Sequence, residues 1–224
     1  MTSPGIFQLV SPALPVGAFS YSEGLEFMAQ TKKISNEYDI FLWLEAELLR
    51  GPLRMEAASL SPIMDCLFKW QKDKASISRD NVYEWESWLM ALRDSVEVRS
   101  QQRQMGRSLV QLLSELGYQL PNNEKEFSWP IAWSWAGLSW SLPKLEVAQG
   151  YLYGWVANQL SASLRLLPLG PNKVQGIQYE LMPLIASQSE ILVSQDPHQL
   201  WNGDIGATMA QQSHSELYSR LFRS

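Results

Sequence analysis

Arg99, Arg103 and Arg107 recur at four-residue intervals, which puts three guanidinium groups along one helix face. Just upstream, Arg93-Asp94-Ser95-Val96-Glu97-Val98-Arg99 adds two acids and one more arginine. A guanidinium fork pairs its N–H groups with carboxylates or phosphates, so this stretch suits an acidic partner surface or a nucleotide-bearing protein. It equally suits a solvated basic face balanced by Asp94 and Glu97; the residues alone leave both readings open. Other reactive side chains are sparse. Two histidines (His198, His214) and one cysteine (Cys66) argue against a zinc or nickel cage built by this chain. G-x-x-x-x-G-K-[ST], G-x-G-x-x-G and H-E-x-x-H are all missing. Ser141-Leu142-Pro143-Lys144 has S-x-x-K spacing without its companion motifs, and Pro143 marks a helix boundary. The expectation is no catalytic residue, no cofactor and no metal ligand in this chain.

The elements that must position these groups read as helices. Residues 9–27, LVSPALPVGAFSYSEGLEF, form a stiff apolar lead-in, because Pro12 and Pro15 fix φ and remove donors while Gly17 permits a bend. Ser20-Tyr21-Ser22-Glu23 has the form of a capping box opening a helix that carries Leu25 and Met28. Residues 36–50 place Ile40, Leu44 and Leu48 on one stripe, ended by Gly51-Pro52. Residues 53–70 are expected to split at Ser61-Pro62, a cap followed by an N1 proline. Residues 71–79 read as a polar loop, and Asp80 as the cap of a run to Gly117. The poverty of apolar residues over 93–104 predicts a break or change of face there; otherwise the run is one helix of roughly 57 Å.

Ser128-Trp129-Pro130 opens a Trp-rich helix ended by Leu142-Pro143. Residues 144–167 form the next, where Gly150 and Gly154 permit close helix contact. Within it, Val147–Leu164 is of borderline length for a membrane span, but its Gln, Asn and Ser residues predict a buried helix instead. After the loop 168–172, residues 174–192 are helical with a kink at Pro183, and a last helix runs from about Gly206 to the end. No alternating strand pattern, hairpin signal or internal repeat occurs. An all-α single domain of packed, mostly antiparallel helices follows, residues 1–224, ending in a C-terminal tail of about 206–224.

At 224 residues the chain is long enough for one sizeable core. A net charge of −5 argues against nucleic acid as the main partner. A lone cysteine excludes an internal disulfide and fits a reducing, cytoplasmic setting. The N-terminus, with early prolines and no basic start, does not read as a secretory signal. Ten tryptophans imply a large buried area, or an exposed one that another protein covers.

Four blocks together resemble one family. S-P-x-L-P-V-G-x-F-S-Y-S-x-G-L-E at residues 11–26 is similar to the N-terminal signature of the UreF family of urease accessory proteins. Ala91, Arg93, Asp94, Ser95, Glu97 and Arg99, then Met105-Gly106, resemble its A-x-R-E-T-x-E-x-R…M-G block, with Asp and Ser as conservative departures. Asn158-Gln159…Ala162…Pro168-Leu169-Gly170 follows its N-Q-x-x-A…P-L-G-Q block up to Pro171, which replaces Gln. The tail matches H-E-T-x-Y-S-R-L-F-R-S from Tyr218 to Ser224, with Ser215 in place of Glu.

The resemblance implies an all-helical homodimer without catalysis of its own. It would act with the accessory protein UreD (also called UreH), the GTPase UreG and urease apoprotein during nickel insertion. On that reading Tyr218, Ser219, Arg220, Leu221, Phe222 and Arg223 bind UreD, with Tyr218 and Phe222 as anchors one helical turn apart. Ser20, Tyr21, Ser22, Glu23, Gly24, Glu26, Arg93, Glu97 and Arg99 lie near a dimer or UreG-facing surface. Two other classes stay open: a Trp-lined pocket binding a small ligand, as enzyme or receptor, and a relative repurposed as an adaptor.

Overall fold

The computed structural model of the chain describes residues 3–73, 76–124, 126–203 and 205–224. Its helices are α1 (Pro4–Leu9), α2 (Leu25–Gln30), α3 (Glu37–Arg50), α4 (Pro52–Asp73), α5 (Ser76–Ala91), α6 (Val96–Glu115), α7 (Trp129–Ser139), α8 (Lys144–Leu166), α9 (Pro171–Leu192) and α10 (Ile205–Ser213). No strand occurs among the described residues, so the all-α expectation holds.

The centre is α4, which packs against α3, α5, α7, α8 and α9. Sequence predicts a split at Pro62, yet α4 runs through it. A mid-helix proline costs about 3 kcal/mol. Leu60, Ile63 and Leu67 flank it fully buried, and each such side chain contributes about 1.5–3 kcal/mol. Tertiary burial therefore outweighs the local break, and α9 likewise continues through Pro183. Against α4 lies α7, apolar on every side and buried from Pro130 to Gly137, as a helix enclosed by others must be.

Two local signals hold. Asn36 caps α3 by accepting from the Tyr38 and Asp39 amides at 2.9 and 3.0 Å. The long run does break, at residues 92–95, where Ser95 caps α6 through the Val98 amide at 3.4 Å; the roughly 57 Å single helix is excluded. Other expectations fail. Residues 71–73 belong to α4 and 76–79 to α5, so Asp80 lies inside a helix rather than at its cap; residues 74 and 75 of the expected loop lie outside the described residues. These helix ends project into water and carry no apolar stripe for a sequence pattern to register. Gly150 does allow a close approach, but by the Ile6 side chain of α1 and by Trp133. No helix among the described residues is long and apolar enough to cross a membrane.

Candidate functional site

The signature stretch 9–27 does not end in a capping box. Ser20 closes a 3-10 turn, and Gly24, at φ +89°, stands before α2. A Cβ at Gly24 would lie 2.8 Å from the Gln211 main-chain nitrogen, so glycine is required both for the left-handed conformation and for the passage of α10. Glu23, also at positive φ (49°), turns inward instead of back to its own helix. Of the two amides that a capping box would serve, Ser20 N donates to the Gly17 carbonyl at 3.0 Å and Glu23 N has a distant partner. The main-chain oxygen of Ser224 accepts from Ser22 N (2.8 Å), Glu23 N (3.1 Å) and Ser22 Oγ (2.7 Å). The Ser20 carbonyl accepts from Arg223 N at 2.9 Å. Residues some 200 positions away thus complete this helix start, and no window of local sequence could reveal it.

Beneath lies a buried charge cluster. Arg93 is 3% exposed; its Nε and Nη2 reach Glu56 Oε1 at 2.8 and 2.6 Å, and its Nη1 lies 4.0 Å from Glu23. Glu23 accepts from Gln101 Nε2 (2.7 Å) and Trp155 Nε1 (3.1 Å), and Tyr151 Oη donates to Glu56 at 2.8 Å. Burial and the nearby Glu23 push the Glu56 carboxyl upward, against the pull of Arg93. Burial acts to lower Arg93, but Glu56 and Glu23 overcome it and hold the guanidinium more basic than usual. The short guanidinium contacts make the ionised pair the state this geometry supports. Burial and Glu56 drive the Tyr151 phenol well above its ordinary value.

The arginine ladder of α6 does not act as one face. Arg99 Nη1 donates to the Arg93 and Asp94 carbonyls at 2.6 and 3.2 Å, fixing the break before the helix. Arg103 and Arg107 are exposed, and Arg107 lies 3.6 Å from Glu126. The third block is likewise structural in place: Asn158 reaches the Tyr21 carbonyl at 3.5 Å, and Pro171, the departure from the family pattern, takes the first position of α9, where a proline loses nothing.

The tail is the largest correction. The last helix ends at Ser213, a short 3-10 turn covers 214–216, and residues 217–224 are irregular. Tyr218 and Phe222 therefore do not share a helical face. Tyr218 is wholly exposed at 106%, whereas Phe222 is 3% exposed under the Arg165 guanidinium, 4.1 Å from the ring centroid. Arg165 also donates to the Phe19 carbonyl at 2.5 Å.

Glu26 organises the segment. Its carboxylate accepts from Leu221 N (2.7 Å) and Phe222 N (3.0 Å) and lies 3.0 Å from His214 Nε2. The other ring nitrogen, Nδ1, lies 3.1 Å from Glu97, which also pairs with Arg220. Burial acts to raise the Glu26 carboxyl, but the Leu221 amide, His214 and the Phe222 amide together hold it below the usual range. Ser219 is tied by Gln30, which donates to its carbonyl at 3.2 Å. The Tyr21 phenol donates to Gln104 at 2.9 Å; burial raises it against the pull of the Arg223 guanidinium. Ser215 and Glu216 are exposed, off this cluster. The structure thus brings together most residues singled out by sequence, but as one internal junction. It adds His214, Glu56, Gln101, Tyr151, Trp155 and Arg165. Only His214, at the head of the tail, and Arg165, within the 158–170 block, had any local cue.

A cavity of about 350 Å³ adjoins the junction, lined among others by Glu23, Gln102, Trp129, Trp133, Trp155 and Asn158. No group of three or more His, Cys, Asp or Glu side chains among the described residues could hold a metal ion. Glu26 and Glu97 flank opposite nitrogens of His214, an arrangement for hydrogen bonding and not for chelation.

The UreF family model matches residues 34–182 of the chain. A urease accessory protein UreF of Prochlorococcus marinus subsp. pastoris is 40% identical over 220 residues, covering 97% of this chain and 96% of the relative. Proteins of the same name from Microcystis aeruginosa and Trichormus variabilis are 36% and 34% identical, covering 98% of this chain and 96% and 94% of their own lengths.

Proposed function

The chain belongs to the UreF family of urease accessory proteins, and from that premise we propose that it is a cytoplasmic, homodimeric bridge between UreD and UreG. It is an accessory protein and not an enzyme. On this reading it presents surfaces that let UreD, UreG and urease apoprotein assemble, and nickel is inserted into urease by that assembly. Nucleotide chemistry belongs to UreG.

The observation that carries the reading is the way the C-terminal segment is held. Phe222 and the main chain of 221–224 are pinned inside, while Tyr218, Ser219, Arg220, Leu221 and Arg223 stand exposed on that footing. Nearby in sequence, Trp201, Ile205 and Met209 are exposed at four-residue spacing. Exposed aromatic, aliphatic and arginine side chains are the composition of interface hot spots. A pre-held segment also loses little entropy on binding. Tyr218, Leu221, Arg220 and Arg223 are assigned to UreD. Ser20, Tyr21, Ser22, Glu23, Gly24 and Glu26, with Arg93, Glu97 and Arg99, support that segment and the dimer or UreG-facing side from beneath, since Arg93, Ser22 and Glu23 are buried.

The double substitution Tyr218→Ala with Leu221→Ser tests the reading. Both side chains are exposed, so thermal stability should stay put while co-purification with UreD and urease activation fall at least about tenfold. Unchanged UreD capture would overturn the assignment. The cavity of about 350 Å³, where the Gln102 Oε1 has no partner, supports a second reading as a small-ligand receptor; a metabolite thermal-shift screen separates the two.

A further inference from the structure

We propose that residues 217–224 are closed onto their own chain by a proton-dependent latch, in which His214 as an imidazolium joins Glu26 to Glu97. The ring is completely buried, and each nitrogen lies 3.0–3.1 Å from a carboxylate oxygen. A neutral imidazole has one N–H and one lone pair, and ionised carboxylates only accept. Both contacts are attractive only if both nitrogens carry protons.

The proton does not belong on either acid. Glu26 already accepts the Leu221 and Phe222 amides, which favours its charged form. Glu97 lies in the first turn of α6, where the helix dipole favours an anion, and it faces Arg220.

The described elements around the ring carry few charges. α2 brings Glu26, α6 brings Glu97, and the tail brings Arg220. α10, with the sequence IGATMAQQS, brings no charged side chain. Glu23, Arg93 and Glu56 form the separate cluster below, and Arg165 and Arg223 sit at the far side of Phe222 and against Tyr21. Two carboxylates, Arg220 and the ring sum to zero only with an imidazolium. Loss of that proton as pH rises sets a lone pair against a carboxylate in a buried site. Glu26, which holds the Leu221 and Phe222 amides, loses its counter-charge. The segment then lifts, uncovering Phe222 and freeing the Ser22 and Glu23 amides from Ser224. What opening does to UreD capture rests on the function proposed above; the docking itself does not.

Amide hydrogen exchange of the full chain from about pH 6 to about pH 9, corrected for the intrinsic rate, tests the latch. Protection of the Leu221 and Phe222 amides should fall at least about tenfold while the Leu109 and Ile131 amides of the core hold. ¹⁵N NMR should find both His214 nitrogens protonated wherever the segment is protected. His214→Gln, whose two N–H donors sit on a single nitrogen and cannot face both carboxylates, should leave the segment unprotected throughout. Protection independent of pH, a neutral ring in the closed state, or the same pH dependence in His214→Gln would each overturn the latch. If His214→Gln does not fold, the wild-type exchange and ring spectra decide alone. A latch that behaves as described in a chain that fails to capture UreD would sink the functional reading and leave this one standing.

Discussion

Two charge clusters meet at the junction of α2, α6 and the tail, and they differ in one respect. The inner one, Glu23, Glu56, Arg93 and Tyr151, is built on a guanidinium that keeps its proton at any ordinary pH. The outer one, Glu26, Glu97, Arg220 and His214, has a histidine at its centre. The inner cluster ties α4, α8 and the α5–α6 break to the signature stretch through side chains alone. The outer cluster instead holds the Leu221 and Phe222 main-chain amides of an irregular segment, beside the hydrogen bonds of Arg223 and Ser224 to the signature stretch. A permanent charge suits a core; a conditional charge suits a part that is held for a purpose.

The sharpest break in this comparison is Arg93→Met. It strands Glu56 and Glu23 without a cation, and removing one partner of a buried pair costs about 3–5 kcal/mol. Urea denaturation should show a global loss of that size. A loss confined to the tail would mean the two clusters are one. Next comes Phe222→Ala, which empties the site under Arg165. Core truncations of this kind cost about 3–5 kcal/mol, but the loss here should fall on docking of 217–224, seen as proteolysis of the tail with the helical far-UV signal unchanged.

Acid sharpens the contrast from the other side. Glu26 is held below its unfolded value, so its contribution is present above that value and lost as pH falls through the lower, folded one. Tail protection should therefore decline as pH drops below about 4. Glu56 is shifted upward, so its protonation on the way down relieves a buried charge and adds no comparable loss. Tail exchange should consequently rise before that of α7, and simultaneous loss would contradict the ranking. Smallest is Arg99→Ala. It removes two hydrogen bonds to carbonyls of the α5–α6 break, together worth about 1–3 kcal/mol. On the proposed function UreG recruitment should fall by more than the melting temperature suggests; a pure stability loss leaves Arg99 a structural clamp.

Much of the helical layout was legible. Asn36 and Ser128-Trp129-Pro130 announce helix starts, the apolar poverty of 93–104 announces the break, and the 3.6-residue stripe over 40–48 needs no tertiary information. Pro62 and Ser20-Glu23 misled for one reason: a local rule was overruled by distant burial. Five helices around α4 outweigh a proline, and Ser224 takes the Glu23 amide that Ser20 would have capped. The residues of this junction were singled out by type and motif, but their grouping was not. Arg93 and Arg99 look like neighbours on a basic face, yet one is enclosed and the other is spent on carbonyls.

By itself, the sequence determined the helical class, most of the breaks and the family. The first two follow from backbone preferences and side-chain periodicity within a few residues of one another; the family follows from the resemblance of four sequence blocks. Only the tertiary structure decided that Arg93 is internal, that His214 stands between two carboxylates and that the tail is irregular and folded back. The physical reason is separation: Glu26 and His214 lie 188 positions apart, and Ser22 and Ser224 lie 202 apart. A charge has no local signature of its partner, because what makes it stable or labile is the water removed around it when distant segments close.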